Sequence, residues 1–433
     1  MLKGMATDAC HTPELFQMRA IAVRRSFRVR RDFGGVNVSA RHPKLSGLGY
    51  RIACVLVALA VAGCASQGTP PSLVATAGET ASTVPTAVPT VNPAPTPTVP
   101  HRVFTATESM LAGAIDAVLL PDRTVLAVGS GAAQIYDPTS GLFHDLGIPP
   151  MEDGEFASAL SDGRVFVISE IGSAGLYDPN TNSYKPMGDS RYVHGAGVVV
   201  ALDGIHLLLV GGDGVDPDIL PKAAEIFDDA TGKFTVTGSM KTGRDCPIGV
   251  RLQTGKVLVA GGDDGSGCTQ YSATYSSAEL YDPATGKFTP TGAMTVPRTG
   301  STAVLLNNGK VLVMGGFNYG DTSNGNEDTA GQSAELYDPA SGTFTPTGSM
   351  AEPRTDFTAT LLADGRVLVV GGLDHGANAT VSAEIYDPAS GLFGPTAKTT
   401  VGRYSHVAVR LADGRVLVMS GADSPTTAEI YWP

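Results

Sequence analysis

Five arginines recur at near-regular spacing through this chain, Arg191, Arg244, Arg298, Arg354 and Arg403, each shortly before a short apolar run. Guanidinium groups set in a row can clamp an anionic ligand through paired, charge-assisted hydrogen bonds. A glutamate follows each of them, at Glu225, Glu279, Glu335, Glu384 and Glu429. Two earlier copies of the same pattern lack both residues and show Gln134 and Gly175 where the glutamate would stand. Matched presence and absence makes an Arg–Glu contact inside each repeat the economical explanation. Anion binding at a shared surface is the functional alternative, and some of the arginines could serve both roles.

Two of the arginines open Tyr/His pairs, Arg191-Tyr192-Val193-His194 and Arg403-Tyr404-Ser405-His406. Imidazole and phenol groups can ligate transition metals, although packing is the simpler role for both pairs. Residues 321 to 328, DTSNGNED, gather oxygen ligands that could bind Ca²⁺, but without the spacing of an EF-hand loop they read as a solvated polar loop. No Ser-His-Asp spacing and no phosphate-binding glycine-rich loop is present. No catalytic residue, metal ligand or cofactor is therefore assigned. The candidate binding residues are the five arginines with Tyr192, His194, Tyr404 and His406.

The elements that carry these residues repeat. Residues 278 to 294 read AELYDPATGKFTPTGAM and residues 334 to 350 read AELYDPASGTFTPTGSM; between such phrases runs a second one, LLNNGKVLVMGG from Leu305 and LLADGRVLVVGG from Leu361. The tyrosine of the first phrase recurs as Tyr136, Tyr177, Phe227, Tyr281, Tyr337, Tyr386 and Tyr431, at the roughly 50-residue period of a propeller repeat. Each repeat holds four short strands: an apolar pair joined by a two-residue turn such as Asn308-Gly309, a third strand ending in the tyrosine, and a fourth opening on a phenylalanine. The tyrosine and phenylalanine are expected to form the apolar layer between blades.

The last repeat stops at AEIYWP without a fourth strand, while Phe104 opens FTATESM, a copy of the fourth-strand phrase. The N-terminal strand is thus expected to complete the last blade and leave no open edge. The fold class is all-β, a closed seven-bladed propeller over residues 101–433.

Ahead of it, residues 1–63 read as a signal peptide, with arginines followed by an apolar run from Ile52 to Gly63 too short for an ordinary membrane span. About fifty residues precede that run, so translation could begin later. The run ends in Leu59-Ala60-Val61-Ala62-Gly63-Cys64, which resembles the lipobox of bacterial lipoproteins and implies diacylglycerol and palmitate on Cys64. Residues 64–100 continue as a Thr/Pro-rich tether with one charged residue, Glu79. The expected location is extracytoplasmic, anchored to a membrane of a bacterial cell envelope. Removing residues 1–63 leaves 20 basic and 39 acidic residues, a formal charge of −19 that disfavours nucleic-acid binding. Beyond Cys64 the mature chain keeps two cysteines, Cys246 before a first strand and Cys268 in the loop after the second strand of the same repeat. In an up-and-down blade both sit at one end, so an oxidising compartment permits a disulfide; two buried thiols are the alternative.

The glycine pairs Gly211-Gly212, Gly261-Gly262, Gly315-Gly316 and Gly371-Gly372, each followed at variable distance by tyrosine and a second aromatic, resemble kelch repeats, and above all bacterial kelch-repeat lipoproteins and the central propeller of galactose oxidase. The resemblance covers about residues 103 to 433. Departures are phenylalanine for the usual kelch tryptophan and a missing glycine pair in the first two repeats. Kelch domains that capture acidic peptides resemble the arginine arrangement here. The adjacent Tyr-His copper ligands of galactose oxidase have no counterpart, nor does a Cys-Tyr crosslink context. The expected function is a monomeric cell-surface binding module for a protein, peptide or glycan, working through the face that carries the long, unlike loops after the glycine pairs. The alternatives are a galactose-oxidase-like or carbohydrate-active propeller enzyme with chemistry near Tyr404, His406, Tyr192 and His194, and a cell-envelope assembly factor.

Overall fold

Short β-branched runs punctuated by glycine turns give four-stranded units, and a computed structural model describes them in residues 102–129, 132–147, 154–169, 172–192, 194–212, 222–265, 273–318 and 330–433. The signal peptide, Cys64, the tether, Cys268 and the 321–328 loop lie outside the described residues.

The described chain enters through β1 (Val103–Ala106). Blade 1 is β2 (Asp116–Leu119), β3 (Val125–Gly129), β4 (Ala132–Asp137) and β5 (Leu142–Asp145). Blade 2 is β6 (Gly154–Ala159), β7 (Val165–Ser169), β8 (Ser173–Asp178) and β9 (Ser183–Asp189). Blade 3 is β10 (Val198–Ala201), β11 (His206–Val210), β12 (Ala223–Asp228) and β13 (Lys233–Ser239). Blade 4 is β14 (Ile248–Arg251), β15 (Val257–Ala260), β16 (Ala278–Asp282) and β17 (Lys287–Pro290). Blade 5 is β18 (Thr302–Leu305), β19 (Val311–Met314), β20 (Ala334–Asp338) and β21 (Thr343–Pro346). Blade 6 is β22 (Thr358–Leu361), β23 (Val367–Val370), β24 (Ala383–Asp387) and β25 (Leu392–Pro395). Blade 7 is β26 (Val407–Arg410), β27 (Val416–Met419) and β28 (Ala428–Trp432), completed by β1.

Every sheet is antiparallel in chain order, and the first strands of successive blades touch around a ring that closes from β26 back to β2. Closure is as the sequence implied: β1 pairs β28 from Val103 opposite Trp432 to Ala106 opposite Glu429. Pairing the two ends of the chain removes the edge that an open seven-blade sheet stack would expose.

Second strands such as Val257–Ala260 are buried along their whole length, because both faces of a blade are covered by neighbours. The apolar layers lie between blades. Tyr337 and Phe344 of blade 5, with ring centroids 4.8 Å apart, pack with Ile248, Leu258 and Ala260 of blade 4.

The Thr-Gly that ends the fourth-strand phrase adds a polar latch between blades. Thr291 Oγ1 lies 2.8 Å from Tyr337 Oη of the next blade, and Gly292 N donates to Gly342 O over 2.9 Å. A Cβ on Gly292 would sit 2.4 Å from that oxygen, so the glycine is there for close approach and not for an unusual φ. The same bonds join Thr347 to Tyr386 and Gly348 to Gly391. Blade 6 reads Thr396-Ala397, and its threonine still meets Tyr431. The fourth strand of blade 7 is β1, from the other end of the domain, so no tight turn joins its third and fourth strands opposite this alanine.

Candidate binding face at the channel mouth

The segment entering each first strand and the loop leaving each second strand lie at one end of the blade. Isolated bridges join them: Asp245 with Asp263, Thr299 with Phe317, and Thr355 with Leu373. This is the end at which the candidate residues collect.

Four arginines occupy one structural position, four residues before the first paired residue of the first strand: Arg244, Arg298, Arg354 and Arg403. All four are essentially inaccessible to solvent, at 0 or 1 % exposure. Arg298 shows why. Its Nη1 donates to Gly315 O at 2.8 Å and Ser333 O at 3.1 Å, and its Nη2 donates to Ser333 Oγ at 3.0 Å and Glu335 Oε1 at 3.1 Å. Glu335 also accepts the backbone N–H groups of Thr295 and Val296. Each such pair ties the entry segment, the end of the second strand and the third strand into one unit. Arg244–Glu279, Arg354–Glu384 and Arg403–Glu429 repeat it at 3.4, 3.0 and 3.5 Å. Burial pulls the Arg244 and Arg403 guanidinium groups below the usual arginine range, while the facing Glu279 and Glu429 partly restore them.

Arg191 does not belong to this set. The residue four before Val198 is His194, and its Nδ1 lies 2.8 Å from Gly211 O and its Nε2 3.3 Å from Glu225 Oε2. Histidine therefore replaces the arginine of blade 3, and Ala223 replaces the serine whose hydroxyl receives the longer guanidinium in blades 4, 5 and 6. Arg191 is exposed, with its guanidinium carbon 5.7 Å from the Tyr192 ring centre, and only its backbone N–H reaches Glu225. The Arg-Tyr-x-His words of blades 3 and 7 are thus out of register by three residues, so His194 and His406 are not equivalents. Counting back from the first strand would have exposed the offset; matching the words concealed it.

Blades 1 and 2 show what happens without the cation. In blade 1, Gln134 accepts Leu111 N through Oε1 at 2.7 Å and donates Nε2 to Ala112 O at 3.0 Å, a neutral version of the same brace. In blade 2 the phenol of Tyr184 fills the space beside Gly175, where a Cβ would fall 2.0 Å from its oxygen. At this third-strand position a carboxylate stands only where an arginine or histidine faces it.

Two residues beyond His194 and each of the four buried arginines the backbone turns left-handed, at Ala196, Cys246, Gly300, Asp356 and Ser405, with φ between 47° and 57°. These turns meet across blade boundaries: Cys246 N donates to Ala196 O at 3.0 Å and Ser405 N to Asp356 O at 2.8 Å. The face they build carries acid and phenol groups. Asp356 and Asp423 are exposed, and burial followed by these two carboxylates pushes the Tyr404 hydroxyl up. Between blades 5 and 6 a cleft of about 170 Å³ opens among Phe317, Pro353, Arg354, Leu373, His375 and Ala377.

His406 is buried, its Nε2 lies 2.8 Å from Thr358 Oγ1, and its Nδ1 has no partner among the described residues. Burial, with Arg403 second, depresses its pKa to about 3, so the ring is neutral. The bridge between Asp245 and Asp263 brings together the roots of the segment holding Cys246 and the loop holding Cys268. The thiol pairing itself falls on a residue outside the described set.

No family model and no curated protein matches this chain. Among solved structures, a fungal alcohol oxidase of the AA5 family in complex with copper superimposes with a TM-score of 0.61 at 19 % identity over 76 % of each chain. At that identity the likeness establishes the propeller architecture. Copper is a poor fit to the residues described. His194 has both ring nitrogens engaged, His406 lies at a different register, and no group of three or more His, Cys, Asp or Glu among the described residues could hold a metal.

Proposed function

We propose that this chain is a binding module of the cell envelope, lipid-anchored through Cys64, that recognises an extracellular protein, peptide or glycan on the face built by the channel-mouth turns and the loops after the second strands. One observation carries the reading. The blades share nearly the same interior, while the segments between their second and third strands differ in length and sequence, from Asp263–Ser277 to Leu373–Val381. The buried Arg–Glu pairs support this role indirectly, because they hold the roots of those loops rigid while leaving the tips free to vary. The four buried arginines brace the face, and the groups offered to a ligand are those beside them, including exposed Arg191 and Asp356 and half-buried Tyr192 and Tyr404.

The enzyme reading retains one supporting observation, the architectural likeness to the AA5 oxidase. A paired experiment separates the two. Residues 101–433 are screened against glycan and peptide arrays, and the same preparation is loaded with Cu²⁺ and assayed for peroxide release from primary alcohols and galactose. Saturable array binding that Tyr404→Ala or Arg191→Ala weakens supports the module. Peroxide release dependent on copper overturns it. For the anchor, Cys64→Ala should release the protein from membranes or leave an uncleaved precursor, and unchanged attachment would refute lipidation at that residue.

A further inference from the structure

Among the described braces only that of blade 3 is built on an imidazole, the side-chain type whose ordinary charge change lies nearest neutral pH. Its two nitrogens face two oxygens, Gly211 O and Glu225 Oε2, and neither the carbonyl nor the ionised carboxylate can donate a proton. Only the doubly protonated imidazolium satisfies both contacts. Histidine and Glu225 are 3 % and 1 % exposed, so water does not replace a lost bond. Burial works to raise the Glu225 carboxyl, but the bonds from His194, Tyr192 N and Arg191 N outweigh it and keep it below the usual range. The backbone that carries the ring also builds the blade-3 mouth. His194 O accepts Gly197 N at 2.8 Å, and Ala196, two residues on, accepts Cys246 N from blade 4. Among the described residues, the ionisable groups tied to this segment are Arg191 and Tyr192 beside it, Arg244, whose carbonyl accepts Gly212 N, and Asp245 and Cys246 in the blade-4 turn that meets Ala196. The alanine at 223, where blades 4, 5 and 6 carry Ser277, Ser333 and Ser382, matches the shorter reach of the imidazole in blade 3.

We propose that blade 3 carries a proton-operated latch: protonated His194 pins Glu225 and Gly211 and thereby the mouth turn at residues 194–197, and loss of that proton frees the turn. The sign follows from linkage. A histidine that gains a carboxylate partner on folding contributes stability at low pH, and that contribution disappears as pH rises. The other four braces use arginine, which stays charged, so the effect is confined to one sector of the face.

The test uses residues 101–433 as wild type, His194→Arg with Ala223→Ser, and His194→Gln. Hydrogen exchange of the segment spanning residues 191 to 200 is followed from about pH 6 to about pH 9 and corrected for intrinsic base catalysis. In the wild type it should rise at least about tenfold as the charge-assisted contact to Glu225 is lost. The arginine variant should stay protected throughout. The glutamine variant should exchange fast at every pH. Exposed His206, paired with Asp203, is common to all three proteins and serves as an internal reference for imidazole NMR titration. A His194 ring that is neutral at about pH 6 overturns the latch, as does equal pH dependence in the wild type and His194→Gln; if the arginine variant does not fold, those two readings decide.

Discussion

Replacing Arg298 by alanine should test the brace most sharply. The change deletes the donors to Gly315 O, Ser333 O and Ser333 Oγ and leaves Glu335 buried at 1 % exposure with only two backbone N–H partners. Removing one member of a buried, hydrogen-bonded ion pair costs roughly 3–5 kcal/mol. At about 2.1 cal/mol/K per residue, a domain of about 330 residues has an unfolding entropy near 0.7 kcal/mol/K, so the melting temperature should fall by roughly 4–7 °C. Glu335→Gln alone should also destabilise, because the guanidinium then loses its countercharge. The double variant R298A/E335Q should be more stable than the sum of the single losses predicts, by roughly 1–3 kcal/mol. The exposed pair Lys310–Asp338, 3.1 Å apart with side chains 40 and 32 % exposed, is the control, and Lys310→Ala should cost under about 1 kcal/mol. Scanning calorimetry of the four variants reads all these quantities. A shift for Arg298→Ala no larger than that for Lys310→Ala, or strict additivity in the double variant, would refute the argument that the arginines are structural.

Three further outcomes are expected. Asp116, whose carboxyl burial raises to about 6 against the pull of Ala157 N and Ala117 N, holds its proton more tightly in the folded chain; stability should therefore fall as pH rises from about 4 to about 6, and Asp116→Asn should flatten that slope in melting curves. Gly292→Ala should lose about 1–3 kcal/mol through collision with Gly342 O, whereas Ala397→Gly should cost about 1 kcal/mol or less; equal melting shifts would count against the latch between blades. Deleting residues 101–110 should destabilise as much as deleting residues 428–433, because β1 and β28 are partners in one sheet, and an N-terminal deletion that melts like the wild type would be incompatible with ring closure.

The strand order, the blade count and the closure by Phe104 were legible in the chain because a propeller is a local repeat. Blades 1 to 6 each form from about fifty consecutive residues, so alternation and glycine turns specify them without long-range information, and Phe104 is tied to the last blade by opening a copy of the fourth-strand phrase. The coincidence of Arg298 with Glu335 and of its counterparts was legible for the same reason, both partners lying in one unit. Three features needed the tertiary structure. Thr291-Gly292 meets Tyr337 and Gly342 across a blade boundary, and nothing inside one repeat marks a contact made with the next. The exposure of Arg191 and the burial of Arg298 depend on how far each side chain stands from its first strand, a count that similar words on neighbouring segments disguise. His194 takes the place of an arginine by satisfying the same carboxylate over a shorter reach, which a comparison of residue names does not reveal and a comparison of positions does.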